Sequence, residues 1–252
     1  EKSGASVTFG RWLSEYVTGS ISLVAEQLNF SDPQEGLCPD LLPLICRQLG
    51  NQTTTGFRTT MFRDTRDYYL DPRNGWRVGG GVDYGTPFLG GSNNFVKYTL
   101  DVSKYTPLPF DTRFAVRARF GAIEGIGGKP IPLTERFFVG GINTMRGFVF
   151  GQAGPVVPNI YSIVGAAKEL IFNFDYIFTV SADAKLNGVI FFDYGKGFDD
   201  NEKLSLNLRK AAGIEGRWIS PFGPLRVAYG LNLAPRQGER QGVFEFTIGS
   251  LF

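Results

Sequence analysis

Apolar and polar residues take strict turns along most of the chain. Leu225, Val227, Tyr229, Leu231 and Leu233 alternate with Arg226, Ala228, Gly230 and Asn232, a run of about nine residues, the length a tilted strand needs to cross a bilayer. The same period recurs upstream. Leu206, Leu208, Ala212, Ile214 and Trp218 oppose Arg209, Gly213, Glu215 and Arg217, with Lys210 breaking the apolar face once; Leu186, Ile190, Phe192 and Tyr194 oppose Asn187, Phe191 and Asp193. Leu170, Phe172, Phe174, Tyr176 and Phe178 oppose Glu169, Asn173 and Asp175; Phe114, Val116, Ala118 and Phe120 oppose Arg117 and Arg119. Val96, Tyr98, Leu100 and Val102 face away from Lys97, Thr99 and Asp101, as do Trp76, Val78, Val82 and Tyr84 from Arg77 and Asp83. Successive side chains of a strand point to opposite faces, so each run predicts a strand with one apolar and one polar side.

The chain ends on such a run. Phe244, Phe246, Ile248 and Phe252 share one face, and Glu245, Thr247 and Gly249 the other. Weaker runs at residues 5–9, 20–25 and 57–62 bring the expectation to about eleven strands. Period alone does not separate a soluble sandwich from a membrane barrel, because both alternate. The apolar faces decide: they are Phe, Tyr, Leu and Val, with Trp76, Tyr84, Tyr176, Tyr194 and Trp218 near strand ends, the pattern of aromatic girdles at two bilayer interfaces. The charged faces are unsuited to a dry core. The fold class expected is therefore all-β, a transmembrane antiparallel β-barrel.

Composition agrees where it bears on this. Phe numbers 23 and Gly 33, yet mean hydropathy is only -0.07, because alternation averages lipid-facing residues with lumenal polar ones. No apolar run is long enough for a spanning helix. A net charge of +2 gives no reason to expect nucleic acid. Histidine is absent and cysteine numbers two, which removes the commonest general base and any Cys-only zinc site. With no nucleophile elbow and no phosphate loop, the sequence offers no catalytic residues, no metal site and no cofactor. Gly79-Gly80-Gly81 falls inside a strand and reads as a bend or a close approach.

Connections alternate between short and long. Residues 219–224, 106–111 and 71–75, the last with an Asn-Gly dipeptide, read as tight turns; residues 31–55, 123–162, 196–205 and 234–242 read as long loops. Short turns on the periplasmic side and long loops outside are the layout of outer-membrane barrels. Cys38 and Cys46 fall in the first long loop, where an oxidising exterior suits a disulfide, two free thiols being the alternative. Eleven is an odd count and single-chain bacterial barrels are usually even, so the chain reads as the C-terminal part of a longer barrel, with upstream strands and soluble domains missing.

The longest loop carries the sharpest signal. Residues 135–148 read Glu-Arg-Phe-Phe-Val-Gly-Gly-Ile-Asn-Thr-Met-Arg-Gly-Phe, too apolar for an exposed loop. The segment should fold into the lumen, where its single tip arginine finds carboxylates.

Phe138-Val139-Gly140-Gly141 followed by Met145-Arg146-Gly147-Phe148 resembles the inward-folded sixth extracellular loop of the BamA-type outer-membrane assembly and translocation superfamily, whose tip reads Val/Ile-Arg-Gly-Phe/Tyr; Met145 departs mildly from it. Asp71-Pro72-Arg73-Asn74-Gly75-Trp76-Arg77, Phe191-Phe192-Asp193-Tyr194-Gly195 and Ser220-Pro221-Phe222-Gly223-Pro224-Leu225 resemble further motifs of that superfamily in the right order, as does the terminal Phe252. The likeness covers most of residues 56–252; the first 55 match by position only.

The resemblance implies that Arg146 pairs with Glu169 and Asp193, which alternation independently places on lumenal faces. It also implies a 16-stranded barrel preceded by periplasmic POTRA-like modules, in the outer membrane of a Gram-negative bacterium. Its function would be to fold and insert other β-barrel proteins, with the seam between first and last strands as a lateral gate. The partners implied are the lipid bilayer with its lipopolysaccharide, unfolded outer-membrane clients and accessory lipoproteins. Phe244, Phe246, Ile248, Gly249 and Phe252 would form the terminal insertion signal, with Phe252 at the periplasmic interface. The alternatives are a secretion pore of the same superfamily (a two-partner transporter or a TamA-like protein), a passive porin, or a soluble all-β interaction domain.

Overall fold

The computed structural model describes residues 2–30, 50–157, 162–221 and 223–249. Its strands in chain order are β1 (Lys2–Ser14), β2 (Val17–Phe30), β3 (Gly50–Asp64), β4 (Gly75–Gly85), β5 (Phe95–Leu108), β6 (Thr112–Gly125), β7 (Val156–Val157), β8 (Ser162–Ile163), β9 (Lys168–Ser181), β10 (Leu186–Phe198), β11 (Arg209–Ser220), β12 (Gly223–Asn232) and β13 (Gly242–Ile248). Eleven of them make one antiparallel meander in sequence order, β6 pairing with β9 across the long connection that contains the small β7–β8 hairpin. Among the described residues, β1 and β13 are the two edges of the sheet.

Burial follows the alternation. On β12, Arg226, Ala228 and Asn232 are buried while Val227, Tyr229 and Leu231 are exposed; on β10, Asn187, Val189, Phe191 and Asp193 are buried while Ile190 and Phe192 are exposed. The polar face is thus the covered, concave one. The convex face carries a band of large exposed apolar residues that includes Phe9, Ile21, Met61, Val82, Leu100, Ile214 and Phe246, far more than water tolerates and what lipid requires. Neighbouring rings extend along it, Phe172 with Tyr194 and Phe174 with Phe192, their centroids 6.4 and 6.2 Å apart. Trp76 and Trp218 sit at the short-turn end, where Lys104 Nζ lies 4.5 Å from the Trp76 ring centroid, a cation drawn to the interface by its aromatic neighbour. Tyr84 and Tyr194 sit at the opposite end.

The strand ends at 14 and 17, 64 and 75, 108 and 112, 181 and 186, and 220 and 223 lie at one end of the sheet, and those at 30 and 50, 85 and 95, 125 and 168, 198 and 209, and 232 and 242 at the other. The segment expected as a tight turn at 71–75 is only the last part of the 65–74 connection. There Asp67 Oδ1 accepts hydrogen bonds from the backbone N–H groups of Tyr68, Arg73 and Asn74, and ion pairs from Arg113 to Asp71 and from Arg73 to Asp111 fasten it to the neighbouring turn. Leu206 and Leu208 precede β11, which starts at Arg209. The first three strands are longer than their short apolar runs, because Ser and Thr fill their concave side and blur the alternation: Thr8 pairs with Ser22 through hydroxyls 2.8 Å apart, and Ser20 with Thr60 at 2.7 Å. Gly79 is a close approach, since a Cβ there would lie 2.1 Å from the Phe62 ring. Cys38, Cys46 and Phe252 fall outside the described residues.

The sidedness of β13 is directly testable. Phe246 is exposed on the convex face, and Thr247 lies on the concave one. Phe246→Arg is expected to lower stability by about 2–4 kcal/mol, the cost of a midplane arginine in lipid, and Thr247→Arg by far less. Urea titration in lipid vesicles checks this; equal losses would overturn the assignment.

Candidate functional site

The connection from residue 126 to 167 folds back over the concave face of the sheet. Its sequence leaves it little choice. Phe137 packs with Phe95, Ile123, Ile131, Ala166 and Ala167; further in, Val139, Met145, Phe148 and Ala153 bury themselves with Ile171 of β9 and Ala211 of β11. The root is stitched by paired bonds between Phe137 and Ala166, N···O 2.8 and 2.7 Å, and by Gly197 N–H to Ala153 O at 3.1 Å. Lys97 Nζ donates to the Glu135 carbonyl at 2.8 Å.

Two backbone features turn the tip. Gly140 has φ 133°, and a Cβ there would lie 2.3 Å from Val149 O, so only glycine fits. Gly141 N–H meets both Met145 O and Phe148 O, at 3.1 and 2.9 Å, while the Thr144 hydroxyl lies 2.8 Å from both Gly140 N and Gly140 O. Gly147, at φ 82°, then backs onto Gly230 of β12 so closely that a Cβ on Gly230 would sit 2.4 Å from Gly147 N. This double-glycine contact sets Arg146 deep against the sheet.

Arg146 is 3% exposed and reaches three strands at once. Its Nε and Nη2 grip both oxygens of Asp193 on β10 (2.9 and 2.6 Å), its backbone N–H adds a third bond to Asp193 at 2.9 Å, Nη2 also meets Asp175 of β9 (2.7 Å), and Nη1 meets Glu215 of β11 (2.6 Å). The guanidinium carbon lies 3.8 Å from the centroid of the Phe191 ring. Arg217 bridges Glu215 and Asp175 at 2.8 and 2.6 Å, and Arg226 of β12 bonds Glu215 at 2.6 Å. Three guanidinium groups therefore meet three carboxylates in a buried cluster of net charge zero. Asn173 completes it, donating to Thr144 O and Asp193 Oδ1, both at 2.8 Å.

Of the two carboxylates expected around Arg146, Asp193 is there and Glu169 is not. The reason is register. Glu169 stands opposite Gly121 and Gly197, whereas Asn173 is the residue opposite Asp193; at about 3.3 Å per residue Glu169 lies about 13 Å from Asn173 along β9, beyond the arginine's reach. Glu169 instead faces the charges of Arg119 and Lys97. Asp175 and Glu215 take its place. Alternation had put both on the polar side, and what it lacked was their level along the barrel axis. Met145 and Phe148 are fully buried, and Phe148 carries Arg209 over its ring at 4.7 Å. Phe244, Phe246 and Ile248 lie on the convex face, and Gly249, at φ 96°, donates to Pro224 O at 2.9 Å just beyond β13. No group of His, Cys, Asp and Glu among the described residues is arranged to hold a metal ion.

A family model described as the Omp85 superfamily domain matches residues 1–252. The outer membrane protein assembly factor BamA of Nitratidesulfovibrio vulgaris is 29% identical over 253 residues, covering 99% of this chain and 32% of that protein. BamA of Neisseria meningitidis serogroup B is 23% identical, covering 99% and 36%. Among solved structures, BamA from Haemophilus ducreyi lacking POTRA domains 1–3 superposes with a TM-score of 0.79 at 19% identity, over 99% of this chain and 54% of that one. The chain thus spans about a third of the length of these curated relatives.

The cluster ranks the carboxylates. Arg146→Ala should cost about 3–5 kcal/mol by leaving buried carboxylates uncompensated, and Arg146→Glu more. Asp175→Asn, Asp193→Asn and Glu215→Gln should each destabilise clearly more than Glu169→Gln. Urea unfolding in vesicles, read by heat-modifiable gel migration, measures all of them; a Glu169→Gln loss as large as that of Asp193→Asn would contradict the register.

Proposed function

We propose that this chain, which belongs to the Omp85 superfamily and lies in the outer membrane of a Gram-negative bacterium, is the membrane-embedded part of a factor that folds and inserts β-barrel proteins. The observation that carries the reading is the loop locked by Arg146 across β9, β10 and β11. The assembly-factor names of the relatives that match nearly the whole chain support it.

An unpaired strand edge in hydrocarbon leaves N–H and C=O groups unsatisfied, at several kcal/mol per group, and an incoming strand satisfies them by β-augmentation. On this reading β13 belongs to the seam of a 16-stranded barrel preceded by periplasmic modules. The clients are unfolded outer-membrane proteins, and lipopolysaccharide and accessory lipoproteins are the surroundings. Gly140, Gly141, Met145, Arg146, Gly147 and Phe148 set the loop; Phe244, Phe246 and Ile248 anchor the seam strand in lipid. No step calls for a catalytic residue. A passive porin fits poorly, because the loop packs side chains against the concave side of β9 to β11, where a porin keeps water. A secretion pore of the same superfamily differs in its passenger, a soluble protein.

The test is reconstitution. The full-length protein in liposomes, given an unfolded client barrel, should raise the rate of protease-protected, heat-modifiable client by at least about tenfold over empty liposomes. Client insertion at the empty-liposome rate, together with export of a soluble passenger, would replace the reading with the secretion pore.

A further inference from the structure

The 65–74 connection turns its tip under the concave face at the short-turn end. Pro72 is buried, and Asp71 accepts from Asn187 Nδ2 of β10 at 3.1 Å while it pairs with Arg113 of β6. In the sheet β4 and β10 are four strand spacings apart, about 19 Å at about 4.8 Å each, so a turn that joins β3 to β4 and bonds β10 runs as a chord across the curve of the wall. Its root is tied too, Arg66 forking onto both oxygens of Asp64 at 2.9 and 2.7 Å. Asn187 stands opposite Arg217 in the ladder, and Arg217 belongs to the buried cluster under the loop tip. Tyr105 and Arg217 line both the space of about 10 Å³ left against Asp71 and Pro72 and the space of about 20 Å³ left against Arg146 and Ile142, each room for about one water.

We propose that this connection is an inner floor, with Asp71 as its positioning residue: it closes the concave face between β4 and β10 at the short-turn end against ions and small solutes. The loop's clamp centres on β9, β10 and β11. Beside it the face is charged, Arg117 of β6 meeting Asp101 of β5 at 2.9 and 2.5 Å, a lining that draws water and ions along it. Arg113 lies on the same face of β6, four residues nearer the short-turn end, so its ion pair with Asp71 stands in that path. Arg113 is 3% exposed, and among the described residues Asp71 is the carboxylate that it pairs with. Loss of Asp71 leaves that buried charge uncompensated and removes the acceptor that Asn187 holds, so the turn tip is released while every ladder bond of the sheet stays in place. The floor serves whatever the protein handles, and it stands or falls apart from the assembly reading.

Planar-bilayer recordings of the full-length protein in potassium chloride test it, comparing wild type with Asp71→Ala, Asp71→Asn, Asp71→Arg and, as a control at an exposed position of the same connection, Tyr69→Ala. Asp71→Ala should raise the fraction of time spent in conducting levels by about tenfold, the scale of one lost charge-assisted hydrogen bond. Asp71→Arg, which sets like charge against Arg113, should raise it further. Asp71→Asn keeps an acceptor oxygen for Asn187 and should fall between wild type and Asp71→Ala, while Tyr69→Ala should match wild type. Heat-modifiable gel migration should stay at the wild-type position throughout, which separates an opened floor from a disrupted wall. Wild-type conduction in both Asp71→Ala and Asp71→Arg, or a rise that Tyr69→Ala shares or that comes with lost heat-modifiability, would overturn the floor.

Discussion

Charge balance inside a confined face is the condition on which the rest of this structure depends. Asp175, Asp193 and Glu215 converge from β9, β10 and β11, and among the described residues of the sheet Arg217 and Arg226 meet them. Without the loop the cluster is one positive charge short. Arg146 supplies it, and does so with the geometry a lysine lacks: a planar fork that holds Asp193 with two nitrogens while still reaching two other carboxylates. Such a cluster adds little net stability over a well-packed apolar one, but it is unforgiving of misplacement, and so it specifies where the loop goes.

That specification explains why the loop needs its glycines where they are. Bringing a guanidinium to the level of Asp193 requires its backbone to approach β12 more closely than any side chain allows, and the Gly147–Gly230 contact provides the approach. The apolar residues around the tip then have no alternative to burial. Val139, Met145 and Phe148 fill the space between the ion cluster and the long-loop end, excluding the water that would otherwise screen the charges. Packing and electrostatics are not separate contributions here; each keeps the other in place.

The membrane-barrel architecture was legible because lipid enforces the period. Within the eleven-stranded sheet, every strand from β4 onward has an apolar face of large residues, and the alternation assigned those faces correctly at Val227, Ile190 and Phe246. It faded in β1 to β3, where Ser and Thr on the concave side reduce the contrast. The loop's inward course was legible from its apolar excess, and Arg146 from its isolation there. The identity of its partners was only half legible. Asp193 and Glu169 both carry the right charge on the right side, and the choice between carboxylates depends on strand stagger, a quantity that no local run of residues encodes. Tight-turn chemistry misled at residues 71–75 for a related reason. An Asn-Gly pair signals a hairpin when strands end beside it, but here Asp67 and two ion pairs to the next turn organise a longer connection.

The sheet is not held evenly, and the unevenness has a direction. The strands β9 to β11 are bonded on both sides and bolted from within by Arg146. β13 has seven paired residues on one flank and a single side-chain contact to the loop. The loop therefore grips β9 to β11 with several charged contacts and β13 with one, and regions with few buried contacts open at lower free energy than the global transition.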